Sequence, residues 1–331
     1  MNLVELLEKV TSGLGPRMGL VGILPTTVFV LFVLILYLSV STGQAPAFAN
    51  ALDQIAQFST VQIVLIGIGV FIGALLVHPM QLYIVRLLEG YWGDSRLAVF
   101  ISRRLTEKQE DIRKRNEKII QERLKNLAAQ RGDGFESVLS ETGDLAERNR
   151  KYFPKDVLLP TQLGNVLRAA ERNGGAPYGL DSVVIWPRLY AILPERTSAL
   201  VDDQRLQLDL SARLCAMFLL ATPISAGIVY YPSEWWSDAS QVGGAWWWLA
   251  IPPITLLLAW FSYRGAIASA LAYGEGIRTA IDLHRFDLLR ALHLPLPDDR
   301  EREKQVNTAL CDFLRQGIPL PEDFRYDHEF S

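Results

Sequence analysis

Every lysine and arginine of the 331-residue chain lies in one of three blocks, 1–17, 86–213 and 264–331. From Arg17 to Arg86, and again from Arg213 to Arg264, no basic residue occurs. These two gaps contain the only long apolar stretches. An unpaired cation at the centre of a bilayer costs roughly 2.5–3.5 kcal/mol on insertion scales, so cation-free apolar stretches are the signature of chain immersed in lipid. A span needs about 20 apolar residues at 1.5 Å rise each, and each gap is long enough for two. The expected fold is therefore an all-α integral membrane protein with four transmembrane helices.

The expected order is an amphipathic N-terminal segment 1–22, a first span 23–42, an outer loop 43–60 and a second span 61–79. A cytoplasmic helical domain 80–213 follows. Then come a third span 214–231, an outer loop 232–245, a fourth span 246–263 and a cytoplasmic helical tail 264–331. The two outer connectors carry only Asp53, Glu234 and Asp238 and no cation, whereas Arg17, Arg86, Arg213 and Arg264 flank the spans. The positive-inside rule then puts both termini and the 80–213 segment in the cytoplasm, at the inner (plasma) membrane. A cleaved signal peptide ending near Ala45–Ala49 is the competing reading, leaving three spans. The first apolar run is longer than a usual signal core, which favours a retained helix.

Tyr230, Tyr231, Trp235, Trp236, Trp246, Trp247 and Trp248 gather at one end of the second helix pair, as amphipathic rings do in the headgroup layer. Trp92 and Tyr263 mark the opposite, cytoplasmic interface. Pro223 in the third span and Pro252–Pro253 in the fourth are expected to kink their helices. Gly69 and Gly73 form a GxxxG pair. Ala266, Ala270 and Gly274 make one ridge of small residues, and Ala268, Ala272, Gly276 and Ala280 another. Small residues at every fourth position let helices approach closely; their spacing does not say whether the contact lies within one chain or between copies.

The charge balance excludes some functions. The 80–213 segment has 22 basic against 19 acidic residues and the 264–331 segment 9 against 12, so a nucleic-acid partner is not expected. Cys215 and Cys311 would face a reducing compartment and imply no disulfide framework. The cytoplasmic part reads as a long charged helix over 96–131 and a helix from Gln162 to Arg172 capped by Thr161. The short apolar run 183–193, cut by Pro187, is either domain core or a segment lying at the membrane. A helix started by Pro194–Glu195 runs into the third span without Gly or Pro before Pro223. It would join the cytoplasmic domain to the membrane.

Four words stand out: LPTQLGNVLRAAE (159–171), YGLD (178–181), WPRLY (186–190) and DLHRFDLLRALHLPLP (282–297). In these words the chain resembles uncharacterised bacterial four-span membrane proteins, a likeness that implies no activity. In topology alone it is similar to MotA-type stator subunits, by analogy and without a shared motif.

Catalytic residues, cofactors and metal sites are not expected. His284, His293 and Cys311 match no metal-ligand spacing, Gly174–Gly175 lacks the Lys-Ser/Thr of a phosphate loop, and no nucleophile setting is recognisable. Two functions remain. One is a homo-oligomeric channel gated through its cytoplasmic domain, its pore lined by residues such as Thr26, Thr27, Ser225 and Thr255. The other is a membrane anchor or scaffold presenting that domain to a cytoplasmic protein partner. The absence of Asp, Glu, Lys or Arg within the spans rules against a charged selectivity ring, and the channel ranks slightly first.

Overall fold

The computed structural model describes residues 23–40, 47–77, 79–129, 135–154, 156–231, 246–321, 324 and 326. Among them the chain is all-helical, with no strand. The helices are α1 (Leu24–Val40), α2 (Phe48–Ala56), α3 (Thr60–Val77), α4 (Gln81–Glu89), α5 (Arg96–Ala129), α6 (Phe135–Tyr152), α7 (Gln162–Asn173), α8 (Ser182–Ile192), α9 (Glu195–Tyr230), α10 (Ile251–Ala291) and α11 (Arg300–Gln316). Short 3₁₀ turns occupy Ala176–Tyr178 and Trp246–Ala250. The chain divides into a first unit, residues 1–85 and 206–266, and a second unit, 86–205 and 267–331.

Two helices, Glu195–Tyr230 and Trp247–Ala291, are long and apolar enough to cross a membrane. The pair Phe48–Ala56 and Thr60–Leu76, bent by 112° at the break between them, makes a third if it is one span. α1 carries no charged residue over its 17 residues, and Thr26, Thr27 and Ser39 interrupt an otherwise apolar run.

In the first unit, α2 occupies part of the 43–60 segment expected as an outer loop. It packs on α1, where Gln54 Nε2 donates to the Leu38 carbonyl at 3.0 Å and the Ala47 N–H donates to the Ser39 carbonyl at 3.3 Å. Phe48 then lies 4.9 Å from the ring of Trp248 and 5.3 Å from that of Trp247. This changes the reading of the aromatic cluster. Trp248 is completely buried, with Leu36 and Val229 around it, whereas Tyr231 is 88% exposed and Tyr230 and Trp247 are partly exposed. Ring burial removes far more apolar area than the headgroup layer would cover, so Trp248 acts as core. Trp235 and Trp236 lie outside the described residues, and Trp246 is placed by its backbone only.

The prolines also differ from expectation. Pro252 and Pro253 stand in the first turn of α10, directly after the 3₁₀ turn. A missing N–H is tolerated at a helix start, so they open the helix and do not kink it midway. Pro223 lies inside α9, as expected, and the helix continues through it.

In the second unit α5 and α6 form an antiparallel hairpin. Arg113 Nη1 donates to the Pro154 carbonyl at 3.2 Å, Asn116 Nδ2 to Asn149 Oδ1 at 3.1 Å, and Arg123 pairs with Glu141 at 3.4 Å. Partner numbers fall as the α5 numbers rise, which fixes the direction. The core collects Leu180, Ile185 and Leu189 with Ile277, Ile281, Leu288 and Cys311. Ile185 and Leu189 are fully buried while Val183 and Tyr190 are exposed, so one side of the 183–193 run lies in the core of this unit. A second cluster of Leu289, Leu294, Val306 and Leu310 seats α11.

Candidate functional site

The four sequence words lie in the second unit, and several of their polar residues have a structural task there. Thr161 caps α7, its side chain accepting from the Gly164 N–H at 3.1 Å. Asn165, completely buried, holds the loop before the helix from both sides: the Leu159 N–H donates to Asn165 Oδ1 at 2.7 Å and Asn165 Nδ2 donates to the Leu159 carbonyl at 2.9 Å. Gly164 lets α4 approach, because a Cβ there would overlap the Glu89 carbonyl oxygen. Gly164→Ala is therefore expected to lower stability by about 1–3 kcal/mol, read as an earlier thermal transition of the detergent-solubilised protein.

YGLD is the contact word. The Tyr178 hydroxyl donates to Asp282 Oδ1 at 2.9 Å, and Asn307 Nδ2 donates to the Tyr178 carbonyl at 2.8 Å. Gly179 adopts φ +75°, a conformation that L side chains rarely adopt, and a Cβ on it would lie 2.8 Å from the Lys304 carbonyl oxygen. Leu180 is core. Asp181 caps α8 through Val183 N–H and Val184 N–H and pairs with Arg315 of α11. Its own N–H donates to Cys311 Sγ at 3.3 Å.

Arg285, from the DLHRF word, closes the junction. Its guanidinium stacks 4.2 Å from the Tyr178 ring centre and 4.3 Å from that of Phe286. Its Nε lies 2.7 Å from Glu303 Oε1, and Nη1 donates to the Asp282 carbonyl. Glu303 and Asn307 are both buried. Burial, with the hydrogen bond to Asp282, pushes the Tyr178 hydroxyl above its usual range. Burial also pushes the Cys311 thiol up to about 11, so it stays protonated and unreactive near neutral pH. A cleft of about 340 Å³ opens beside this junction, lined among others by Asp156, Arg172, Asn173, Asp181, Asp312 and Arg315. Most of its charges are paired, since Arg172 faces Asp156 at 3.9 Å and Arg315 pairs with Asp181.

The expected packing residues fall in three settings. Ala266 is fully buried in the first unit; in the second, Ala270 is fully buried and a Cβ on Gly274 would lie 2.7 Å from Ala170 Cβ, so that part of the ridge packs on α7 within the chain. On the second ridge Ala268 is exposed, Ala272 half-buried and Gly276 buried, where a Cβ would overlap the Gln204 side chain. A Cβ on Gly73 would lie 3.7 Å from Thr26 Cγ2 of α1, while one on Gly69 would meet open space. Trp92 is half-buried and donates through Nε1 to the Leu87 carbonyl at 2.8 Å.

Sequence reading missed two polar groups. Arg213 is completely buried in the first unit, where its Nε donates to Gln81 Oε1 at 3.1 Å and Gln81 Nε2 donates to the Asp209 carbonyl at 3.0 Å. Its place beside an apolar run was visible, but its burial depends on a partner 132 positions away. In the second unit, burial and the neighbouring Glu171 carboxylate raise the Glu89 pKa to about 7, against the opposing pull of Arg205 and Arg86. A raised folded-state pKa contributes stability below pH 4.5 and loses it as pH rises through 7. Glu89→Gln is therefore expected to melt with the unmodified protein at pH 5 and about 2–4 °C above it at pH 8.

Among the described residues no group of three or more His, Cys, Asp or Glu side chains could hold a metal ion. No protein family, curated protein or solved structure matches the chain.

Proposed function

We propose that the chain is a four-span inner-membrane anchor, both termini cytoplasmic, that assembles with copies of itself and presents its second unit to a cytoplasmic protein partner. One observation carries this reading: the hydroxyls available for a pore are already engaged within the chain. Thr27 donates to the Ile23 carbonyl at 2.8 Å, Ser225 to the Thr222 carbonyl at 3.0 Å, and Thr255 to the Pro252 carbonyl at 2.8 Å, with Thr222 and Thr255 3.1 Å apart. Thr26, Ser225 and Thr255 are buried. Hydroxyls bonded in this way leave the apolar helices with a lipid-like exterior. The polar chemistry is concentrated in the second unit.

A channel made by several copies is the second reading, favoured by the open space at Gly67 and Gly69 on α3. Reconstitution in liposomes separates the two. The anchor predicts no ion flux at any voltage, and a native mass of more than one copy. Conductance that disappears in Gly69→Leu supports the channel instead.

A further inference from the structure

We propose that α4 and the first turns of α5 form an in-plane collar that binds the anionic headgroup layer at the cytoplasmic face. This rests on the membrane reading above. α4 begins at Gln81, four residues after Val77 ends the cation-free helix α3, so the chain cannot carry it far from the bilayer surface.

α4 has two contrasting faces. Val85 and Leu88 are buried, while Leu82, Tyr83 and Leu87 are 65%, 68% and 55% exposed, with Arg86 exposed among them. Tyr91 and Trp92 follow. On α5, Leu97, Phe100 and Ile101 are exposed at 70%, 59% and 40%. Their i, i+3, i+4 spacing puts them on one side of the helix, and Arg104 and Lys108 continue the same line. The Arg104 guanidinium lies 5.5 Å from the Phe100 ring centre. Residues 80–108 hold Arg86, Arg96, Arg103, Arg104 and Lys108 against Glu89, Asp94 and Glu107, the last paired with Arg103 at 3.2 Å.

Large apolar side chains facing outward, rimmed by arginine and aromatic residues next to a span, fit the boundary between acyl chains and anionic headgroups. The apolar rings enter the boundary and the guanidinium groups meet the phosphates. Further along α5 the exposed surface becomes charged, with Lys118 78% and Glu122 61% exposed in their side chains, which takes the helix into water.

Spin labels on the full chain in nanodiscs test this. Cysteine would replace Ile68, Leu87, Phe100 or Lys118 in a C215A/C311A background. Accessibility to oxygen is compared with that to a water-soluble nickel chelate, in neutral and in phosphatidylglycerol-containing discs. Labels at 87 and 100 should favour oxygen, as the α3 label at 68 does, and the label at 118 should favour nickel. Arg103→Glu with Arg104→Glu should shift the 100 label toward nickel in anionic discs, with about fivefold expected from each arginine lost. A label at 100 that behaves like that at 118 while 68 stays in lipid overturns the collar and leaves the anchor standing. Immobilised labels at 87 and 100, shielded from both reagents, would place another protein copy there and also overturn it. Nickel access at 68 would remove the membrane reading itself.

Discussion

Replacing Arg285 by alanine is expected to lower the stability of the second unit by about 3 kcal/mol, the cost of leaving a buried carboxylate without its cation. For a unit of this size that is a fall of roughly 10 °C in melting temperature. Arg285 holds Glu303 of α11, the Asp282 carbonyl and the Tyr178 ring at once, so its loss frees three elements together. Glu303 has a side chain only 9% exposed, and water does not replace the missing partner cheaply. Removing both charges tests the mechanism: R285M/E303M should recover most of the loss, because an apolar pair of similar volume avoids the stranded carboxylate. A double variant as unstable as R285A would show that the stacking on Tyr178 and Phe286, not the charge pair, carries the effect. Circular dichroism melts in detergent give the comparison.

The second large effect is expected at Arg213. Its guanidinium is completely buried and bonded to Gln81, whose amide in turn donates to the Asp209 carbonyl. Arg213→Ala leaves Gln81 Oε1 without this donor in a closed site and removes a long side chain from the packing. The expected loss is about 2–3 kcal/mol. Gln81→Leu removes the other end of the same bridge and should cost a similar amount, and the two losses should not add. Fully additive losses would mean that Arg213 is held by other partners.

The parts of the architecture that depend on local pattern could be read from the sequence. Cation-free apolar stretches locate α1, α3 and the apolar parts of α9 and α10, because excluding charge from an apolar setting needs no knowledge of the fold. Thr161 starts α7 by ordinary helix-end chemistry, and the helix ends at Asn173, before Gly174–Gly175. α2 was legible but missed: Phe48, Ala51, Leu52 and Ile55 recur at helical spacing, yet the small and polar residues around them resemble a loop.

What could not be read depends on distant pairing. A tryptophan beside a span has the same sequence signature in core or headgroup layer, and Phe48 decides for Trp248. Pro252 and Pro253 could not be placed in a first turn until the helix start was known. In the candidate site, YGLD and DLHRF stood out as words, but Tyr178 meets Asp282 across 104 positions and Asp181 meets Arg315 across 134. Spacing along the chain carries no trace of such contacts.

A four-span arrangement fixes the side of the membrane that each segment occupies. Single cysteines at Asp53, Lys118 and Arg290, all exposed positions, can be probed in intact cells with a membrane-impermeant maleimide. The four-span arrangement predicts labelling at 53 from outside, and at 118 and 290 only after the membrane is opened. Labelling of 118 or 290 in intact cells would contradict it.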